Sequence, residues 1–273
     1  MNRQTAVEES TSSLTCARPI ELYVFIDPLC QECWAMQPLL RRLQVEYERY
    51  FTLRIALRTS LKNLNTQANE CELPYCEQTN LSFPSLAIKA AEFQGKRAGF
   101  RYLSKLLDYS LLQTKNITSF DVLLSIAEEL ELDVDEFRSD FTSKNVLRSL
   151  QLDLFLAKEM EVDRSPTFVF FNENIEDEGL KVDGLYDYEV YEQILSELVP
   201  YPIEPDTPPT ILELLSRFYA MTTEEIAAVY RSPVGKVERE LKKSLLKQQL
   251  ERIPFNQTDV WKKRSFPSIP NER

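Results

Sequence analysis

Two cysteines three positions apart are the residues of this sequence best suited to chemistry. Cys30 and Cys33 enclose Gln31 and Glu32, and a helix would place the two thiols one turn apart, close enough to form or resolve a disulfide. A helix N-terminus beside Cys30 would favour the thiolate, whereas the carboxylate of Glu32 would disfavour it. We therefore predict a catalytic pair, if any, with Cys30 as nucleophile, Cys33 as resolving thiol and weak redox activity.

A Cys-x-x-Cys pair can also be half of a metal site or simply two packed thiols. Cys71 and Cys76 could complete a four-thiolate zinc site with Cys30 and Cys33. Their four-residue spacing in a polar, Asn-rich stretch is weak support for that, so we favour unpaired or occasionally bridged thiols. Cys16 has no assigned role. We accordingly predict no metal site and no cofactor.

The composition excludes several classes of function. The chain of 273 residues contains no histidine, which excludes Ser-His and Cys-His catalytic pairs and imidazole metal ligands. It contains no run of about 18 apolar residues that would predict a membrane span. Residues 1–18 contain acids and no apolar stretch, so they do not resemble a signal peptide. We expect a cytoplasmic protein with reduced thiols.

The charge is negative overall and unevenly distributed. The formal net charge is −11, but residues 231–273 hold 11 Lys and Arg against 5 Asp and Glu, which leaves residues 1–230 at about −17. A net negative charge argues against general binding to nucleic acid or to an anionic membrane. We therefore predict neither as a partner.

The cysteine pair lies between elements typical of an α/β fold. Residues 21–26 form a β-branched and aromatic run that predicts a buried strand, which Asp27-Pro28-Leu29 ends. A helix then fits residues 31–47, although Pro38 should kink or interrupt it. The alternating residues 51–57 predict a second strand, and residues 84–157 have helical spacing in several pieces.

A proline opens the next predicted strand. Ser165-Pro166 precedes the apolar residues 167–171, a short strand around 180–182 follows, and Asp187 is placed to cap a last helix that runs to 198. This order predicts a DsbA-like thioredoxin fold, α/β, with a helical subdomain inserted at about 84–160. In that fold a cis-proline faces the cysteines and leaves adjacent backbone free to pair with an extended partner. Ser165, Pro166 and Trp34 are thus candidate partner-binding residues, although an ordinary trans edge-strand proline would fit as well.

The predicted domains are a mobile tail at 1–18, the thioredoxin domain at 19–199, a linker at 200–209 and a small all-helical module with its tail at 210–273. The linker contains five prolines, which favour an extended spacer. Residues 222–241 resemble a helix-turn-helix. We prefer a helical module that packs on the first domain or on a protein partner, and a DNA-binding regulator is the least favoured hypothesis.

The block Tyr23-Val-Phe-Ile-Asp-Pro-Leu-Cys-Gln-Glu-Cys-Trp34 closely resembles the YjbH (SpxH) adaptor proteins of Firmicutes. The resemblance is specific over residues 21–58, plausible from Ser165 to Gly184 and architectural beyond residue 200. It implies an adaptor that binds the transcriptional regulator Spx and promotes its degradation by the ClpXP protease. Some members carry a zinc-associated, His- and Cys-rich N-terminus, which this chain lacks. The alternative function is a cytosolic thiol–disulfide oxidoreductase that uses Cys30 and Cys33.

Overall fold

A four-stranded mixed sheet organises the first part of the chain. The structure, a computed structural model, describes residues 19–59, 80–112, 115–172, 179–255 and 258–264. The strand order is β2-β1-β3-β4, with β1 and β2 parallel and both other pairs antiparallel. The strands are β1 (Ile20–Ile26), β2 (Phe51–Leu57), β3 (Thr167–Phe171) and β4 (Leu180–Asp183). The predicted strands and the α/β class are confirmed.

The predicted helix after β1 is interrupted, as Pro38 indicated. It forms α1 (Gln31–Ala35) and α2 (Gln37–Tyr47), with Met36 between them. Pro38 lies in the first turn of α2, where a missing backbone N–H leaves no helical hydrogen bond unmade. The chain then crosses to β2 through a short 3₁₀ turn at Glu48–Tyr50.

The inserted subdomain is helical throughout its described length. Its helices are α3 (Phe83–Phe93), α4 (Lys96–Leu112), α5 (Phe120–Glu129), α6 (Val134–Phe141) and α7 (Lys144–Glu159). Asp133 caps α6 and Ser143 caps α7, each accepting a hydrogen bond from a backbone N–H three residues on. These bounds agree with the insertion predicted at about 84–160.

The pleat of the sheet divides the apolar side chains between two layers. Leu22, Val24 and Ile26 of β1 point into the main core, which α2 to α6 and α8 (Tyr188–Leu198) also line. Phe25 points to the other face, where Ala157 of α7 and Val169 of β3 cover it. Asp187 precedes α8 as predicted, but its side chain makes no cap hydrogen bond within the described part of the chain.

The proline-rich segment runs along the end of α2 without regular secondary structure. The backbone N–H of Asp206 donates to the carbonyl of Glu46 at 2.7 Å, and the Tyr50 hydroxyl accepts from the N–H of Glu204 at 3.0 Å. Arg49 forms an ion pair with Asp206 at 2.7 Å. Residues 200–209 are therefore held against the first domain.

The C-terminal part is not all-helical, and that prediction is wrong. It contains α9 (Ile211–Phe218), β5 (Ala220–Thr222), α10 (Thr223–Val229), α11 (Val234–Leu246), β6 (Leu250–Phe255) and β7 (Thr258–Lys263). The three strands form an antiparallel sheet in the order β5-β7-β6. Helix α11 ends at Leu246, because the residues after it pair as a hairpin that buries Leu250 and Trp261.

The sequence does not predict this hairpin, because Pro254 and the basic composition of the C-terminal residues are not typical of strands. Pro254 lies in β6, an edge strand where a missing N–H leaves no ladder bond unmade. The residues 222–241 that resemble a helix-turn-helix form α10 and the first part of α11, and the hairpin follows them.

Several predictions concern residues outside the described ranges. These are the tail at 1–18 with Cys16, the stretch 60–79 with Cys71 and Cys76, the turn at 173–178 and residues 265–273. Across the described ranges, none of the helices combines the length and the apolar composition needed to cross a bilayer.

Candidate thiol site

A tight turn at the end of β1 places the first cysteine at the start of α1. The N–H of Cys30 donates to the carbonyl of Asp27 at 3.0 Å, and the N–H of Leu29 donates to the Asp27 carboxylate at 2.9 Å. Cys30 has an extended backbone and Gln31 is the first helical residue. The turn after the buried strand thus holds Cys30 just beyond the carboxyl end of β1, a strand that lies between β2 and β3.

The structure brings Cys30 to the proline that the sequence singled out. Its thiol donates to the carbonyl oxygen of Ser165 at 3.4 Å, across 135 positions of sequence. The Ser165–Pro166 peptide bond is cis. The Ser165 hydroxyl is buried and has no hydrogen-bond partner in the described part of the chain.

Neighbouring bonds fix the loop that carries Ser165. The N–H of Gly184 donates to the carbonyl of Pro166 at 2.8 Å. The Thr167 hydroxyl lies within hydrogen-bond distance of two acceptors, the carbonyl of Arg164 at 3.0 Å and the Asp183 carboxylate at 2.8 Å, and its one proton can be donated to either. Strands β3 and β4 therefore hold the loop in position beside Cys30.

The second cysteine lies in a different environment. Cys33 is fully buried, whereas Cys30 is half-buried. Burial raises the pKa of the Cys33 thiol far above its usual range, a backbone hydrogen bond at Asp27 opposes the rise, and the neighbouring side chains of Cys30 and Asp27 add to it. Cys33 is therefore suited to remain a protonated thiol behind Cys30.

Asp27 is a site residue that the sequence analysis treated only as a strand break. Burial raises its pKa above the usual value, while the hydrogen bond from Leu29 and the charge of Arg58 oppose the rise. Its carboxyl group is close enough to influence Cys33. The signal available in the sequence was an acid directly after a buried strand and three residues before a cysteine.

Trp34 lies in the last part of α1, directly after Cys33, and is half-buried against the main core. Its indole nitrogen is buried and has no hydrogen-bond partner among the described residues. The structure thus brings Cys30 and Ser165 into contact, while Trp34 packs mainly inward.

No group of three or more Cys, Asp or Glu side chains in the described ranges is arranged to hold a metal ion. The four-thiolate alternative needs Cys71 and Cys76, which are outside those ranges.

A second polar cluster joins α2 to the C-terminal module. Arg41 is 4% exposed and donates to the carbonyl of Ala220 at 2.9 Å and to Glu225 at 3.2 Å, with Asp108 at 3.6 Å. Glu46, also on α2, is 1% exposed and accepts from Arg231 at 2.6 Å. The helix that follows the cysteine pair is thus also the docking surface of the module.

Comparison with known proteins identifies the family. A thioredoxin family model matches residues 23–193. The chain is 38% identical to the ClpXP adapter protein SpxH of Halalkalibacterium halodurans over 272 residues, which cover 90% of this chain and 89% of that protein. It is 37% identical to the Bacillus subtilis protein of the same name over 270 residues, covering 91% and 90%.

The chain belongs to the SpxH family.

Solved structures confirm the fold of this SpxH-family chain. A candidate protein disulfide isomerase from Nitrosomonas europaea aligns with a TM-score of 0.53 at 15% identity, covering 66% of this chain and 97% of that one. Alpha-DsbA1 of Wolbachia pipientis aligns with a TM-score of 0.50 at 12% identity, covering 67% and 87%. The coverage leaves about a third of the SpxH-family chain outside the shared thioredoxin-like fold.

Proposed function

We propose that this chain is an adaptor that binds the transcriptional regulator Spx and promotes its degradation by the ClpXP protease in the cytoplasm. The observation that carries the proposal is the identity of 34–38% with proteins named ClpXP adapter protein SpxH, over about nine tenths of each chain. Because that identity spans the C-terminal module as well as the thioredoxin-like domain, it supports a function of the whole chain.

The contacts between the two parts support a binding protein rather than a flexible tether. Arg41 and Glu46 bond the module to α2, and residues 204–206 are bonded to the end of the same helix. A scaffold held in one arrangement loses little entropy when a partner binds. A stable complex would need an interface of about 1,600 Å².

The identity of the substrate rests on the resemblance around the cysteine pair and on charge. Residues 1–230 carry a net charge of about −17, which favours recognition of a basic patch on the regulator. Candidate contacts on the thioredoxin-like domain are Ser165, whose carbonyl oxygen contacts the half-buried Cys30, its cis neighbour Pro166 and Trp34, which follows the cysteine pair in sequence.

The deciding experiment measures the rate of Spx loss with purified ClpXP, with and without this protein. We expect a large acceleration in its presence. Absence of acceleration, together with no binding of Spx at micromolar concentration, would contradict the proposal. The C30A/C33A double variant then tests the thiols, and unchanged acceleration would show that the adaptor function does not require them.

A thiol–disulfide oxidoreductase is the second candidate. The contact of the Cys30 thiol with the Ser165 carbonyl at 3.4 Å favours it, because substrate cysteines approach a thiol at this position in a thioredoxin fold. The test is mass spectrometry after mild oxidation. A Cys30–Cys33 disulfide that small thiols reduce again would support this activity, and failure to form it would exclude it.

A further inference from the structure

The C-terminal module presents one helix face that its own fold leaves uncovered. Helix α11 packs against α10 and β6, with Val237 and Leu241 buried. Helix α10 in turn packs against α2 of the first domain. The opposite face of α11 is therefore turned away from the thioredoxin-like domain.

That outer face is basic. At spacings of three and four it carries residues whose side chains are all exposed, and we call this set the basic ridge: Lys236, Arg239, Lys242, Lys243 and Leu246. Glu238 and Glu240 lie on the flanks and pair with Lys242 at 2.5 Å and Lys243 at 2.7 Å. Exposed pairs of this kind contribute at most about 1 kcal/mol, so a partner's carboxylates can replace them.

An apolar side chain lies among these cations. Leu246 is 84% exposed, the most exposed of the large apolar side chains in the described ranges. An exposed leucine beside four cations is suited to a partner that offers an apolar contact surrounded by carboxylates.

We propose that the basic ridge of α11 binds a carboxylate-rich segment of a protein partner. The charge complements such a segment, because the ridge is basic on a chain whose net charge is −11. This inference goes beyond the adaptor function, since it names a surface on the module and the chemistry of the segment that occupies it.

Nucleic acid fits the same module less well, although a helix-turn-helix arrangement of α10 and α11 would allow it. In that motif the first helix crosses the phosphate backbone of the DNA. Here the first turn of α10 carries Glu224 and Glu225, and Thr222 and Glu225 form a capping box that occupies backbone N–H groups. Two carboxylates at this position would repel a phosphate backbone.

The first test measures binding of the full chain to a fluorescein-labelled peptide of about 16 residues, glutamate with leucine at every fourth position, at about 50 mM NaCl. We expect binding that R239E/K243E weakens about tenfold or more and that L246S also weakens. The matched control, R148E/K158E, makes the same charge change at exposed residues of α7 and should leave binding unchanged. Equal binding by the R239E/K243E variant, or no binding by the wild type, would overturn the proposal.

A duplex DNA of about 20 base pairs serves as the competing probe. Tighter binding to DNA than to the peptide, lost in R239E/K243E, would overturn the assignment to a protein segment.

The same variant is then tested in the ClpXP assay. If the wild-type protein fails to accelerate Spx loss, the adaptor proposal is contradicted, while the peptide measurement still decides whether the basic ridge binds a carboxylate-rich segment. If the wild type accelerates Spx loss, a loss of that acceleration in R239E/K243E but not in R148E/K158E supports the proposal for the ridge.

Discussion

The two thiols of the cysteine pair are three residues apart in sequence and lie in opposite environments. Cys30 is half-buried and contacts Ser165, whereas Cys33 is fully buried. Their spacing was readable from the sequence. The burial of Cys33 could not be predicted from the sequence, because it depends on the core that α1 packs against. The position of the Asp27 carboxyl group near Cys33 could not be predicted for the same reason.

Alkylation should distinguish the two thiols. In a C16S/C71S/C76S background at neutral pH, we expect iodoacetamide to modify Cys30 and to leave Cys33 unmodified, because Cys33 is buried and its pKa is raised. Peptide mass spectrometry measures the two sites. Both should react in urea, which serves as the control, and comparable rates in the native protein would contradict the prediction.

Asp108 predicts a pH dependence of stability. Burial raises its pKa to about 7, against the opposing charge of Arg41. The folded state therefore holds the proton on Asp108 more tightly than the unfolded state does. This contribution to stability is fully present below the unfolded pKa of about 4 and is lost as the pH rises to about 7. We expect D108N to flatten the fall of the free energy of unfolding between these pH values, measured by urea denaturation.

The matched control for Asp108 is D206N. Asp206 is paired with Arg49 on the surface, with 38% of its side chain exposed, so its substitution should leave the slope between pH 4 and 7 nearly unchanged. Identical slopes for the wild type and D108N would show that Asp108 does not titrate in this range.

At the scale of elements, local signals placed most helix and strand boundaries of the first domain. Pro38 marked the break between α1 and α2, and the run at residues 167–171 marked β3. The hairpin of β6 and β7 was missed, because Leu250–Phe255 contains a proline and only two positions of β7, Val260 and Trp261, are apolar or aromatic. Its stability comes from pairing with β5, a contact distant in sequence.

The start of α9 offers a test of capping. Thr210 accepts from the N–H of Glu213, and the Glu213 carboxylate accepts from the N–H of Thr210. We expect T210A to lower the free energy of unfolding by about 1 kcal/mol. Ser119 occupies the same position before α5 without a side-chain cap bond in the described ranges, so S119A should cost less than about 0.5 kcal/mol. Urea denaturation measures both, and equal losses would contradict the role of the cap.

At the scale of the whole molecule, α2 belongs to both parts of the chain. Its buried face in the first domain follows the cysteine pair, while Val45 packs into the core of the C-terminal module. Arg41 and Glu46 add charged bonds across the same contact. The predicted domain boundaries at 199 and 210 therefore remain a hypothesis about autonomous folding.

Arg41 tests this contact. R41M should lower the free energy of unfolding by about 3–5 kcal/mol, because it leaves the largely buried carboxylate of Glu225 without its cation and the carbonyl of Ala220 without its donor. In a W34F background the fluorescence of Trp261, buried in the module, reports on the module alone. The matched control R217M removes an exposed pair with Glu48 and should cost less than about 1 kcal/mol. An equal effect of the two substitutions would contradict a buried ionic contact.

The sequence by itself determined the α/β class, the cysteine pair, the helical insertion and the resemblance to the SpxH family, because these depend on local periodicity and on short motifs. Only the tertiary structure decided that Cys33 is buried, that Cys30 contacts Ser165, that the module contains a sheet and that it docks on α2. Each of these depends on residues brought together across more than thirty positions of sequence. No local pattern encodes such contacts, since burial and partners are fixed only when the elements pack.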